Sequence, residues 1–270
     1  MPMPTHMSAP RTKFATAAKR ELIRLFAAIQ FFTCLPVPAW VGHSEEHLRG
    51  VIHYLPVIGL LVGCTGAATL LVGTLLWPPL VAVVASTVAT ILLTGALHED
   101  GLADAMDGFG GGRTRDQVLA IMKDPRIGVF GALALGLALF LRVTCLQAVV
   151  PARAAQLLVS GHALSRFGVV VLMACLPYAR ATGASRARPC AQDVSGVSIS
   201  AAGLTGIAPL TLLGAPSLGG AGAAAVVGGL WGLYLRRRLG GYTGDSMGAG
   251  QQLMELGFYL GAIARLPWPT

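Results

Sequence analysis

The sequence predicts an all-α fold, a polytopic integral membrane helical bundle, and three observations predict it. Hydrophobic residues make up 54% of the 270 and charged residues only 12%, with a mean hydropathy of +0.67. A soluble domain carries about twice that charge. Six apolar runs are spread along the chain, and 35 glycines are available for the close helix approach that membrane interfaces favour. A helix needs about 20 apolar residues to cross a bilayer core. The runs therefore predict about six or seven transmembrane helices in a single membrane domain, residues 1–270.

The elements follow in order. Residues 1–21 form a basic, polar N-terminal arm with no signal-peptide pattern. Leu22–Trp40 combines a basic flank, aromatics and a Pro-x-Pro ending, which predicts an interfacial or re-entrant helix. Tyr54–Trp77 and Leu80–Leu97 are free of charge, Ile127–Val150 is broken only by Arg142, and Ala154–Leu176 carries His162 and Arg166. Ile199–Leu213, shorter and glycine-rich, and Gly219–Leu235 follow, and a further apolar helix begins after Gly240–Gly250. Gly59-x3-Gly63, Gly219-x2-Gly222 and Gly228-Gly229 fit tight helix packing. The cysteines at 34, 64, 145, 175 and 190 have no CxxC spacing and read as reduced packing residues.

The basic residues set an orientation. With turns at 77–79, 151–153 and 215–217 on one side, the segments 1–54, 98–126, 177–198 and 236–250 lie on the other and carry 16 of the 20 Lys and Arg. The opposite turns carry one, Arg153. The positive-inside rule places the long segments in the cytoplasm. Basic loops beside anionic headgroups account for the net charge of +8 without a nucleic-acid partner.

Half of the 12 acidic residues fall between Glu99 and Asp124. Residues 98–126 are expected to form an acidic cytoplasmic active-site loop. Asp100, Asp104 and Asp107 are spaced i, i+4, i+7, which on a helix aligns them on one face. Three anions so placed repel one another and call for a cation, and hard oxygen ligands suit Mg²⁺ accompanied by waters and phosphate oxygens. Gly110-Gly111-Gly112-Arg113 lets backbone amides and a guanidinium approach an anion. A short helix, Thr114–Met122, capped by Thr114, leads to Lys123 and Arg126. The competing structural reading is a solvated loop whose acids pair with its own Arg113, Arg115, Lys123 and Arg126. A second candidate runs from Arg238 to Gln252, where Asp245 could add a metal ligand and Thr243 with its glycines could cradle phosphate; a plain helical turn anchored by Arg236–Arg238 is the alternative. Arg166, inside an apolar run, either reaches a substrate phosphate or pairs with Glu255 or a carbonyl. Arg142 reads as a snorkelling side chain.

These motifs carry a resemblance. Phe31-Phe32-Thr33-Cys34-Leu35-Pro36-Val37-Pro38, Tyr54-Leu55-Pro56-Val57-Ile58-Gly59, His98 through Gly108, Ile121 through Gly128, Pro177-Tyr178-Ala179-Arg180 and Gly240 through Ala249 together resemble the cobalamin synthase family, adenosylcobinamide-GDP ribazoletransferase, nearly end to end. The resemblance implies a Mg²⁺-dependent enzyme of the bacterial inner membrane. Its substrates would be adenosylcobinamide-GDP and α-ribazole or its 5′-phosphate, and it would release GMP in the last assembly step of cobalamin biosynthesis. On that reading Asp100, Asp104 and Asp107 hold Mg²⁺, with Asp124 or Asp245 completing the shell. Arg113, Lys123, Arg126, Arg166 and Thr243 steady phosphate oxygens. His98 or one of the aspartates takes the hydroxyl proton. Glu99 stands outside this set as a bystander.

Two other classes share parts of this pattern. A membrane phosphotransferase using a CDP-linked alcohol donor also uses aspartates and a divalent metal, but an Asp stands at 104 where that class carries Arg. A metal transporter would place its acids near mid-membrane rather than in a loop. The oligomeric state is open.

Overall fold

The computed structural model describes residues 11–42, 50–179 and 196–264. They form ten α-helices and no strands. In chain order these are α1 (Arg11–Phe32), α2 (Leu55–Gly73), α3 (Pro79–Thr94), α4 (Leu97–Gly111), α5 (Arg115–Ile121), α6 (Val129–Gln147), α7 (Pro151–Cys175), α8 (Gly196–Ile207), α9 (Pro216–Leu239) and α10 (Gly244–Ile263). Proline opens α3, α7 and α9, where the missing N–H is unneeded and φ is already helical.

Four helical segments are long and apolar enough to cross a membrane: Val51–Gly73, Val129–Gln147, Pro151–Cys175 and Pro216–Leu239. The pair α3 and α4, bent by 88°, makes a fifth if it counts as one broken span. Two of the expected six or seven fall away for different reasons. Ile199–Leu213 resolves into α8 and a short 3-10 segment, too short to cross. Helix α10 has 20 residues, of which 14 are buried. Its neighbours, not lipid, are its surroundings, so it tolerates Gln251, Gln252 and Glu255. By contrast α6 shows Val129, Phe130, Leu133, Leu137 and Phe140 outward, each more than half exposed, which is a lipid-facing stripe.

Segment Leu22–Trp40 is α-helical to Phe32 and ends in a short 3-10 turn, Ala39–Val41, and the described part of the basic arm is the first half of that same helix α1. Helix α1 is not among the candidate spans.

Of the glycines expected at tight contacts, Gly59 and Gly63 bring helices together, whereas a Cβ on Gly222 or Gly229 would meet nothing within 4 Å. A Cβ on Gly59 would stand 2.3 Å from the carbonyl oxygen of His162, and one on Gly63 would stand 2.7 Å from the Cα of Val159. The α2–α7 interface is thus a backbone-to-backbone contact that a larger side chain would force apart.

The polar connections gather at one end. The Cys34 amide donates to the Leu93 carbonyl at 2.8 Å, and the Ala179 amide donates to that of Tyr242 at 2.8 Å. Arg115 Nε donates to the Leu239 carbonyl at 2.9 Å and Arg238 Nη2 to that of Gly112 at 2.7 Å. At the other end, Arg153 donates to the Leu213 carbonyl at 2.9 Å. Most of segment 177–198, including Arg180, Arg186 and Arg188, lies outside the described residues.

Candidate active site

The expected acidic loop at 98–126 is two helices, α4 and α5, joined by a tight corner. Apolar Leu102, Ala105 and Phe109 alternate with the acids at helical spacing and are buried, so the segment has an inner face to pack. Its start is a sharp break. Gly95 (φ 61°) and Ala96 (φ 59°) are both left-handed. For alanine that conformation costs roughly 1–2 kcal/mol. The break turns α4 away from α3 and lays it antiparallel along α10. Gly101 makes the contact possible: a Cβ there would meet the Asp245 carbonyl oxygen at 2.9 Å.

Helical geometry sorts the candidate residues. Asp104 and Asp107 lie within about 40° of Asp100 around the helix, whereas His98 is about 160° away. Asp100 is exposed and Asp104 half-buried. Glycine at 101 brings Asp245, in the first turn of α10, up against this same stretch of α4. His98 is 6% exposed and faces Gly248 of α10. His98 thus lies on the α10-facing side of α4, away from the outward direction of Asp100.

Asp107 is engaged elsewhere. Its Oδ2 accepts from the Gly128 amide at 2.6 Å and its Oδ1 from the Gly131 amide at 2.8 Å. It thereby caps α6, whose first amides have no partner of their own. Asp124 accepts from Arg126 at 2.6 Å, and that guanidinium with the Arg126 amide holds its carboxyl down to about 2. Thr243 is fully buried. Its hydroxyl accepts from the Ser246 amide at 3.1 Å in a capping box at the start of α10. Sequence spacing shows such residues as available oxygens, but only the folded contacts show that they are already used.

Thr114 caps α5 as expected, with Gln117 completing the capping box. Arg113 and Lys123 are exposed on either side of this helix, as is Arg126. Gly111, Arg113, Gln117, Ala120 and Ile121 line a shallow open depression.

Arg166 is not at this surface. It is 2% exposed, inside a polar cluster that joins α4, α6, α7 and α10. Arg142, expected to snorkel, is also 2% exposed and donates to Glu255 Oε1 at 2.7 Å. Glu99, the apparent bystander, is buried and accepts from Gln252 at 3.0 Å.

Among the described residues, no three His, Cys, Asp or Glu side chains stand close enough to hold a metal ion. An all-protein cage is therefore not what these residues offer. Two carboxylates one turn apart, outward on one helix face, instead suit an ion that keeps several waters and takes the rest of its ligands from phosphates.

The sequence profile described as cobalamin-5-phosphate synthase matches residues 24–263. The chain belongs to that family. A protein of Leptothrix cholodnii named adenosylcobinamide-GDP ribazoletransferase is 42% identical over 250 residues, 88% of this chain and 94% of the relative. Relatives of the same name from Ralstonia nicotianae and Vibrio cholerae are 44% identical (89% of this chain, 95% of the relative) and 37% identical (93% and 97%). No solved structure matches. Membership in the cobalamin-5-phosphate synthase family agrees with the all-helical, apolar bundle and with the motif blocks along its length.

Proposed function

We propose that the protein joins adenosylcobinamide-GDP to α-ribazole, or to its 5′-phosphate, and releases GMP. The observation that carries this reading is the match over residues 24–263 to relatives that share one name. The fold supports it: Asp100 and Asp104 share one face of α4, and Arg113 and Lys123 are exposed on either side of α5 at the polar end of a membrane bundle.

Release of GMP fixes the bond that breaks. The ribazole hydroxyl oxygen attacks the phosphorus joined to cobinamide, and the bridging oxygen leaves with the guanosine phosphate. Phosphoryl transfer of this kind depends on positioning and on neutralising charge. Arg113, exposed at the rim of the α4–α5 depression, and Lys123 would bind phosphate oxygens. The hydroxyl proton passes to a carboxylate on the Asp100–Asp104 face, since His98 points the other way. Magnesium, when bound, would neutralise the diphosphate, held by Asp100 and Asp104 with Asp245 alongside. The excess of basic residues supports placing this end in the cytoplasm of a bacterial inner membrane.

The test is incubation of the detergent-purified protein with adenosylcobinamide-GDP, α-ribazole and Mg²⁺. GMP release that stops on chelation is the expected result. No GMP, with turnover of a CDP-linked alcohol or metal uptake into liposomes instead, overturns it.

A further inference from the structure

The buried cluster between α4, α6, α7 and α10 holds two guanidiniums, Arg142 and Arg166, and two carboxyls, Glu99 and Glu255, none more than 7% exposed. A charge in such a place persists only if it is balanced. Glu255 is saturated. Its Oε1 receives Arg142 Nη2 at 2.7 Å and the Tyr259 hydroxyl at 2.9 Å. Its Oε2 receives Gln251 at 2.6 Å and lies 3.0 Å from His162 Nδ1. Arg142 Nη2 also donates to His162 Nε2 at 2.7 Å. An arginine only donates, so Nε2 is the acceptor nitrogen and the neutral ring carries its proton on Nδ1, aimed at Glu255. Arg166 Nη1, 3.1 Å from that same Nδ1, is therefore left with the His162 carbonyl, also at 3.1 Å. Its Nε has no partner.

Among the described residues of this cluster, Glu99 is the second anion set against the two guanidiniums. Glu99 Oε1 accepts from Gln252 and lies 3.9 Å from Arg142 Nη1, while its Oε2 has no partner. Glu99 is also the residue before Asp100, in the first turn of the helix that carries the aspartates. Through Gln252 it ties that first turn to α10.

We propose that Glu99 is a positioning residue: as the second anion it balances the two buried guanidiniums, Arg142 and Arg166, and through its contacts with Gln252 and Arg142 it holds α4 so that Asp100 and Asp104 face the substrate. The proposal rests on the functional reading above and extends it to a residue that touches no substrate.

The experiment compares the parent, Glu99→Gln, Arg166→Gln and the double variant, each as full chain in detergent. Glutamine keeps an acceptor for Gln252 and removes only the charge. Glu99→Gln is expected to lower kcat about tenfold, the scale of a lost supporting contact, with KM for adenosylcobinamide-GDP unchanged and a lower unfolding midpoint. The double variant restores neutrality and is expected to recover both kcat and midpoint. If the single variants do not fold, recovery of a folded double variant supports the balance and its failure to fold overturns it. Parent-like behaviour of Glu99→Gln overturns the proposal. So does a raised KM with kcat intact, which would make Glu99 a substrate contact, and so does a double variant no better than Glu99→Gln. A parent that releases no GMP defeats the functional reading alone; the four unfolding midpoints then decide whether Glu99 balances Arg166.

Discussion

Asp104 and Asp107 are one helical turn apart on α4, and both oxygens of Asp107 are committed to backbone amides, those of Gly128 and Gly131. Asp107→Ala is expected to lower stability by about 1–2 kcal/mol, the range for a lost helix cap, read as a reduced unfolding midpoint. Asp100→Ala should leave that midpoint near the parent value, and Asp100→Ala and Asp104→Ala should each reduce GMP release about 100-fold, the upper end for lost support of a metal. The acid–base behaviour of Asp124 separates it from this pair. Its folded pKa, about 2, is below the ordinary carboxyl value of 3.8. The interaction with Arg126 is thus in place above the ordinary value and is lost only as pH falls towards 2. Asp124→Asn should accordingly leave the shape of the pH–rate profile unchanged between about pH 5 and 9. Spacing alone marked Asp100, Asp104 and Asp107 as equals, because an i, i+4, i+7 pattern reports direction around a helix and not what waits there. His98 is different: an i, i+2 offset already points it away from Asp100, and that signal was in the sequence.

At the scale of elements, the apolar runs became helices nearly where hydropathy set them, since a run of that length has few other ways to satisfy its backbone in lipid. Gly59 and Gly63 behaved likewise. Gly59→Leu is expected to force α2 off α7 and cost about 1–3 kcal/mol or more of stability, measured as detergent unfolding. The acidic segment went the other way, from expected loop to helices, because glycine and aspartate are weak helix formers by propensity. Leu102, Ala105 and Phe109 override that weakness by packing inward. The left-handed Ala96 at the head of α4 offers a separate check. Ala96→Gly relieves a steric penalty of roughly 1–2 kcal/mol against an entropic loss of about 0.5–1 kcal/mol. A midpoint equal to or slightly above the parent's is expected, and a clear fall would mean that the alanine methyl makes a contact worth more than the strain.

Across the whole molecule, one end is a platform of polar segments tied by Arg115 and Arg238 to carbonyls of other helices, and the other end is short turns. A cysteine introduced at Arg113 should react with a membrane-impermeant thiol reagent only in inside-out vesicles, and one at Ala152 only from the opposite side. The reverse pattern would invert the orientation taken from the basic residues. The sequence by itself determined the membrane class, the positions of the apolar helices, the polar end and the family, because hydropathy, charge asymmetry and ordered motifs are local and survive without coordinates. Tertiary structure alone decided that α10 is buried in protein, that Asp107 and Thr243 are caps, and that Arg142, Arg166, Glu99 and Glu255 meet. Those facts depend on which faces of distant helices come together, and no residue's spacing along its own helix records the side chain it will find on another.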